Sequence, residues 1–110
     1  MKIYLASPYS HPDRHIQLQR FILAARAAAE LIRRDHIVFS PICHSHPIAV
    51  HGDLNGDWET WIKQDSAFFD WADELWILKL DGWQESKGIE AECKDFCGPI
   101  HEVDPKELGL

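Results

Sequence analysis

Apolar and polar positions follow two alternating rhythms along this chain. Residues 2–6 (KIYLA) form a short β-type run that stops at Ser7-Pro8-Tyr9-Ser10-His11-Pro12-Asp13, a segment built of turn formers. From Arg14 to about Arg34 the apolar positions Leu18, Phe21, Ile22, Ala25, Ala28, Ala29 and Ile32 recur at three- and four-residue spacing. That stripe predicts an amphipathic helix with Asp13 as its N-cap. His36-Ile37-Val38-Phe39 predicts a second short strand, closed by Ser40-Pro41. The stretch 40–55 sets Pro41, Pro47 and Gly52 among His44, His46 and His51 without lasting periodicity, so it reads as a long functional loop. Helical spacing returns over 56–72, where Trp58, Trp61, Ile62, Phe68, Phe69 and Ala72 offer packing groups. Leu75-Trp76-Ile77-Leu78-Lys79-Leu80 is the most strand-like segment, ended by Asp81-Gly82. A helix from about Ser86 to Phe96 and a strand near 99–103 complete the order.

Strand and helix thus alternate as βαβαβαβ, which predicts a three-layer α/β fold, Rossmann-like or flavodoxin-like, with four or five parallel strands. Ligands of such sheets sit beyond the carboxyl ends of the strands, so three loops draw attention: 7–13, 40–55 and 81–87. At 110 residues the chain fits one domain, 1–110, with no linker or repeat.

Charge narrows the partners. Eighteen Asp and Glu against eleven Lys and Arg give a formal net charge of −7, the wrong sign for holding duplex nucleic acid by its phosphates. Any phosphate must be caught locally. Cys43, Cys93 and Cys97 cannot all pair within one chain and form no Cys-x-x-Cys zinc pattern, which fits reduced thiols and a cytoplasmic protein. The apolar run at the start is too short for a signal peptide, and no stretch approaches the length of a membrane span.

The first loop feeds the N-terminus of the long helix, where free N–H groups and the dipole favour an anion, with Ser7, Ser10 and Arg14 as added donors. The equal alternative is a polar connection capped by Asp13. No Gly-x-Gly-x-x-Gly or Walker-type sequence is present, so a dinucleotide or triphosphate cradle is unsupported. His44, His46 and His51, near Asp53 and Asp57, raise a metal hypothesis, but their spacing is weak and they read better as ligand or solvent contacts. No metal or other cofactor is expected. Tryptophans default to core or interface, with Trp58 or Trp83 as a candidate wall against a flat ligand.

Asp81 to Glu92 brings a turn, a serine, a glycine and two carboxylates to the start of a helix. Residues two apart on a helix project about 200° apart, so Glu90 and Glu92 cannot share one pocket, and one should be solvated. Ile89, Cys93 and Phe96 share the face expected on the sheet. A carboxylate near a helix N-terminus is favoured ionised, as a nucleophile toward a sugar carbon must be.

Ile3-Tyr4-Leu5-Ala6-Ser7, Asp65 followed eight residues later by Asp73, and Ser86-x-Gly88-x-x-x-Glu92 resemble the nucleoside 2-deoxyribosyltransferase superfamily, including its deoxynucleoside-monophosphate N-glycosidase branch. Nearly the whole chain is also similar to an uncharacterised bacterial and phage group of domains, the DUF1937 type, through the runs IYLASPYS, FSPICHSHPIA and LDGWQESKGIEAE. The wider resemblance implies that Glu92 attacks the anomeric carbon, that Asp65 positions substrate and handles protons, and that Tyr4 places a hydroxyl near the nucleophile. Water as acceptor gives hydrolysis, and a second base gives transfer. It also implies a homo-oligomer, for which the tryptophan-rich 58–76 segment offers surface.

Two departures matter. Ser86 stands where the transferase branch usually has an aspartate and the monophosphate branch often a serine, which tilts the expectation toward a phosphorylated substrate and hydrolysis. Glu90 occupies a place where relatives commonly have a small residue, and unless it points outward its charge raises the Glu92 pKa or repels a phosphate. The candidate ligand contacts are therefore Ser7, Ser10, Arg14, His44, His46, Trp83, Ser86 and Gly88, around the catalytic candidates Glu92, Asp65 and Tyr4. The leading expectation is cleavage of the N-glycosidic bond of a (deoxy)nucleoside or its 5′-monophosphate. The alternatives are a non-catalytic nucleotide-binding or sensing module and, more weakly, a metal hydrolase built on the three histidines.

Overall fold

The computed structural model describes residues 1–54 and 58–110, with Trp58 described for its backbone alone. Asp57 and the side chain of Trp58 lie outside the described residues. Four strands, β1 (Lys2–Ala6), β2 (Ile37–Phe39), β3 (Glu74–Leu78) and β4 (Ile100–Val103), form one sheet. They are all parallel, in the order β2-β1-β3-β4. The helices are α1 (Arg14–Arg33), α2 (Pro41–His51), α3 (Trp58–Asp65) and α4 (Lys87–Asp95). This is the expected α/β architecture, with helices on both faces of a parallel sheet.

The strands alternate their side chains between two cores, because successive residues point to opposite faces. Ile3, Leu5, Leu78 and Val103 pack with Ala27 and Leu31 of α1 and with Leu108 of the 3₁₀ turn Pro105–Leu108. Tyr4, Ala6, Leu75 and Ile77 face the other way, onto Ile89 of α4 and Phe96. Tyr4 and Leu5 are completely buried, so truncating Leu5 to Ala is expected to cost about 2–5 kcal/mol. No helix among the described residues is long and apolar enough to cross a membrane.

Local chemistry sets the helix starts. Asp13 caps α1 by accepting the His15 N–H at 2.8 Å, as its position predicts. The apolar stripe of α1 is turned away from the sheet, however. Ala24, Ala27 and Leu31 are buried, while Leu18, Ile22 and Ile32 are 46%, 46% and 57% exposed. Small alanines let the helix axis approach the strands, and the larger side chains are left outside.

The stretch expected as a loop, 40–55, is mostly α2. Ser40 accepts the Cys43 N–H at 3.3 Å and Pro41 occupies the first turn, where its missing N–H costs nothing. Those are helix-start signals, outweighed in the sequence by Pro47, which stands inside the helix. The Gly52 N–H closes α2 on the Ile48 carbonyl at 2.8 Å. Helix formation over 56–72 is likewise shorter than expected: α3 ends at Asp65 and a 3₁₀ turn, Ser66–Phe68, follows.

Chain order reverses direction at β1: β2 lies on one side of it and β3 on the other. That switch point opens a crevice at the carboxyl ends of β1 and β3, where the loops starting at Ser7 and Asp81 diverge.

Candidate functional site

A cavity of about 600 Å³ occupies that crevice. Its walls come from the loop after β1, the start of α2, the end of α3, and the turn that leads into α4. Among its lining side chains are Ser7, Ser10, Asp65, Ser86, Gly88 and Glu92.

Glu92 is the sixth residue of α4 and is buried against the sheet, whereas Glu90 points to solvent. The Tyr4 hydroxyl, rising from the centre of β1, donates to Oε2 of Glu92. Tyr4 is itself held by Phe39 and Phe69, whose ring centroids lie 5.7 and 5.1 Å from its own. Asp65, the last residue of α3, is also buried and lines the same cavity. All three catalytic candidates therefore converge.

Their electrostatics depart from the sequence expectation. Burial pushes the Glu92 carboxyl up to about 8, opposed by the Tyr4 hydrogen bond and reinforced by the charge of Asp65. The helix N-terminus does not hold Glu92 ionised, because the dipole effect fades within the first turn and Glu92 lies beyond it. Burial raises Asp65 to about 7. Burial, with the charge of Glu92 next, drives the Tyr4 phenol far above its ordinary value, so Tyr4 keeps its proton and acts only as a donor. The site therefore holds two carboxyls that change charge near neutrality beside a fixed phenolic donor.

Ser86 caps α4 by accepting the Ile89 N–H at 3.2 Å, which leaves its hydroxyl proton to give. A side chain added at Gly88 would meet only Ser86 Oγ, at 3.7 Å, so the chain itself leaves room there. Ser7 Oγ is buried at the cavity wall and is the one buried side-chain polar atom among the described residues without a partner. A buried hydroxyl in that condition is satisfied by a polar guest or water.

Four proposed contacts stand elsewhere. Arg14 is exposed at the first turn of α1 and is not in the cavity wall. His44 is exposed beside Phe39. His46 shares a 2.6 Å hydrogen bond with the Tyr9 hydroxyl through Nδ1 and stacks on Phe21 at 4.2 Å. Burial, with His51 nearby, lowers its pKa. Trp83 packs against the core around Tyr4. Asp73 also lies outside the site: its Oδ2 accepts the Lys2 N–H at 2.8 Å, at the opposite end of the sheet. Among the described residues no group of three or more His, Cys, Asp or Glu is placed to hold a metal ion.

Sequence reasoning missed Arg20. Its Nη1 donates to the carbonyls of Tyr9 and Ser10 at 3.3 and 3.0 Å, and its Nη2 to that of Asp81 at 3.0 Å. Arg20 thus ties the loop after β1 to the loop after β3, and it lines the cavity. Gly82 makes this approach feasible: it sits at φ +87°, and a Cβ there would lie 2.7 Å from Arg20 Nη2. Lys87 and His11 also line the cavity, and His11 accepts the Asp13 N–H on its Nδ1 at 2.9 Å. Trp61, assigned by default to core or interface, adds an aromatic wall.

A family profile described as "Domain of unknown function (DUF1937)" matches residues 1–103. No curated protein matches the sequence significantly.

Proposed function

The chain belongs to the DUF1937 family, whose profile covers every residue of the cavity just described, and we propose that it is an N-glycosidase or 2-deoxyribosyltransferase-like enzyme. Its substrate class is a (deoxy)nucleoside or the corresponding 5′-monophosphate. The observation that carries this reading is Glu92, buried at the cavity wall with its carboxyl fixed by the Tyr4 hydroxyl and a second acid, Asp65, in the same cavity.

In the productive protonation state Glu92 is ionised and Asp65 carries a proton. A Glu92 oxygen attacks the anomeric carbon, the glycosidic C–N bond breaks, and the departing base takes the Asp65 proton. Asp65, now a carboxylate, removes a proton from water or from a second base, which attacks the same carbon and releases Glu92. The Tyr4 proton steadies the Glu92 charge before the attack and again as the carboxylate is released. Arg20 and Lys87 supply positive charge at the cavity wall, which suits a 5′-phosphate on a protein of net charge −7. Ser7 and Ser86 offer hydroxyl donors to the sugar or phosphate.

The alternative is a nucleotide-sensing module. The raised Glu92 pKa favours it, because a protonated Glu92 donates a hydrogen bond to a bound ligand and performs no attack. Incubating the protein with a panel of deoxynucleosides and their 5′-monophosphates, and following free base by chromatography, separates the two. Base release that Glu92→Gln abolishes supports the enzyme. Calorimetric binding without turnover, unchanged by Glu92→Gln, establishes the sensor instead. A cytoplasmic location and action as a homo-oligomer belong to the same proposal, supported by three unpaired cysteines and by the apolar outer face of α1.

A further inference from the structure

A second cavity, of about 330 Å³, opens between the C-terminal half of α1 and residues 108–110, on the opposite face of the sheet from Glu92. All five arginines of the chain, Arg14, Arg20, Arg26, Arg33 and Arg34, stand on α1 or at its C-cap, and the last three line this cavity. One carboxylate serves them. Glu30 gives Oε2 to Arg33 Nε at 2.9 Å and Oε1 to Arg34 Nε at 3.2 Å, so both of its oxygens are engaged. Arg26, four residues before Glu30 and therefore on the same flank, is left without an ion pair among the described residues. Three cations against one anion leave two positive charges in excess, in a chain whose net charge is −7.

The helix dipole accounts for only part of this. Arg33 and Arg34 stand at the last turn of α1, where cations are favoured, but Arg26 lies two turns earlier, beyond the reach of that effect. Arg26 and Arg33 project within about 20° of each other and about 10.5 Å apart along the axis, with the small Ala29 between them. The ion pairs leave both Nη groups of Arg33 and Nη1 of Arg34 without a protein acceptor, since Arg34 gives Nη2 to the Glu107 carbonyl at 2.8 Å. Planar N–H donors of this kind match the oxygens of a phosphate. The opposite wall is aliphatic, made by Leu108, which is buried in the core, and Leu110.

We propose that this cavity binds a small organic phosphate monoester, its dianionic phosphate held between Arg26 and Arg33 and its carbon skeleton laid against Leu108 and Leu110. Charge selects the ligand. A monoester carries close to two negative charges at neutral pH and neutralises the excess, whereas a carboxylate or a sulfate ester leaves one charge unmatched. The volume leaves room for a carbon skeleton beside the phosphate, and the acidic balance of the rest of the chain keeps an extended polyanion away. Glu30 holds the guanidinium groups of Arg33 and Arg34 in place before the ligand arrives, which lowers the ordering cost of binding. The two cavities share no residue, so the inference does not depend on the enzymatic reading.

Titrating the isotope-labelled full chain with phenyl phosphate, followed by amide NMR in about 0.1 M salt so that diffuse attraction is screened, tests it. The amide signals of Ala29, Arg33 and Gly109 should shift to saturation. Arg26→Gln and Arg33→Gln should each weaken the binding about tenfold, the loss expected for one charge-assisted contact. Phenyl sulfate, the same body with one charge fewer, should also bind about tenfold more weakly. Inorganic phosphate should shift the same amides with lower affinity, and Lys87→Gln, in the crevice, should leave all these responses unchanged. Both arginine variants remove an exposed side chain, and thermal melting curves matching the parent separate a binding loss from a folding defect. Shifts that never saturate, shifts confined to Ser7 and Ser86 in the crevice, or a saturable response that both arginine variants leave unchanged overturn the proposal. Equal binding of phenyl sulfate and phenyl phosphate overturns the choice of a dianion.

Discussion

The hydroxyl of Tyr4 donates to the carboxyl of Glu92, joining the middle of the first strand to the inward face of the last helix across 88 residues of chain. Neither partner is free to turn. Tyr4 is packed between Phe39 and Phe69, and Glu92 is fixed to a helix whose Ile89 is buried against the sheet. The carboxyl is therefore presented to the cavity in one orientation, with Asp65 near enough for its charge to raise the Glu92 pKa.

That arrangement sets a pH profile. The proposed attack needs Glu92 without its proton and Asp65 with one, while their pKa values stand near 8 and 7. The rate kcat/KM should therefore be bell-shaped and narrow, with limbs near pH 7 and 8 that belong to the pair. Asp65→Asn removes the second titrating group and the proton donor together, so the bell should collapse to a single rising limb set by Glu92, at a lower maximal rate. Rate measurements from pH 5 to 10 on the two proteins check this, and a bell retained in the variant would contradict it.

Stability should follow the same two carboxyls with a definite sign. Each has a folded pKa above its unfolded value, so the folded state binds more protons and loses stability as pH rises from about 4 through the folded values near 7 and 8. Urea unfolding should give a lower free energy at pH 9 than at pH 5. Glu92→Gln, which cannot ionise, should gain roughly 2 kcal/mol over the parent at pH 9 and little at pH 5.

Tyr4→Phe deletes the one hydrogen bond that pulls the Glu92 pKa down. The limb near pH 8 should move to higher pH, and the protein should lose about 1–3 kcal/mol where Glu92 is charged, because a buried carboxylate then lacks its donor. Comparing unfolding curves at pH 6 and pH 9 separates this from a general packing defect, which would be equal at both.

Gly82→Ala places a side chain at φ +87° and 2.7 Å from the Arg20 guanidinium. About 1–2 kcal/mol of stability should be lost from the left-handed backbone alone. Ligand affinity should fall with it as the two loops part. Arg20→Lys should reproduce the affinity loss without the backbone strain, since an ammonium cannot reach three carbonyls in a fixed fan.

The sheet and its order of elements were legible because strand and helix periods differ clearly in this chain. Helical projection showed that Glu90 and Glu92 cannot share one pocket, and the structure buries Glu92 and exposes Glu90. The inward side of α1 was not legible: its buried residues are Ala24, Ala27 and Leu31, and a hydrophobicity count favours the bulkier Leu18 and Ile22, which face out. Pro47 disguised α2, although Ser40 and Pro41 announce its start. The protonation of Glu92 depends on burial by distant residues, which overrides its place near the start of a helix. Arg20 was invisible for a different reason. Its partners are main-chain carbonyls 10, 11 and 61 residues away, and carbonyls carry no mark in a sequence.

Those three carbonyls belong to two loops that diverge from neighbouring strands, and a mid-helix side chain holds both. The rim of the cavity is consequently governed from behind, by a group rooted in the most regular helix of the fold. Displacing that one guanidinium releases both loops at once, from the helix and from each other.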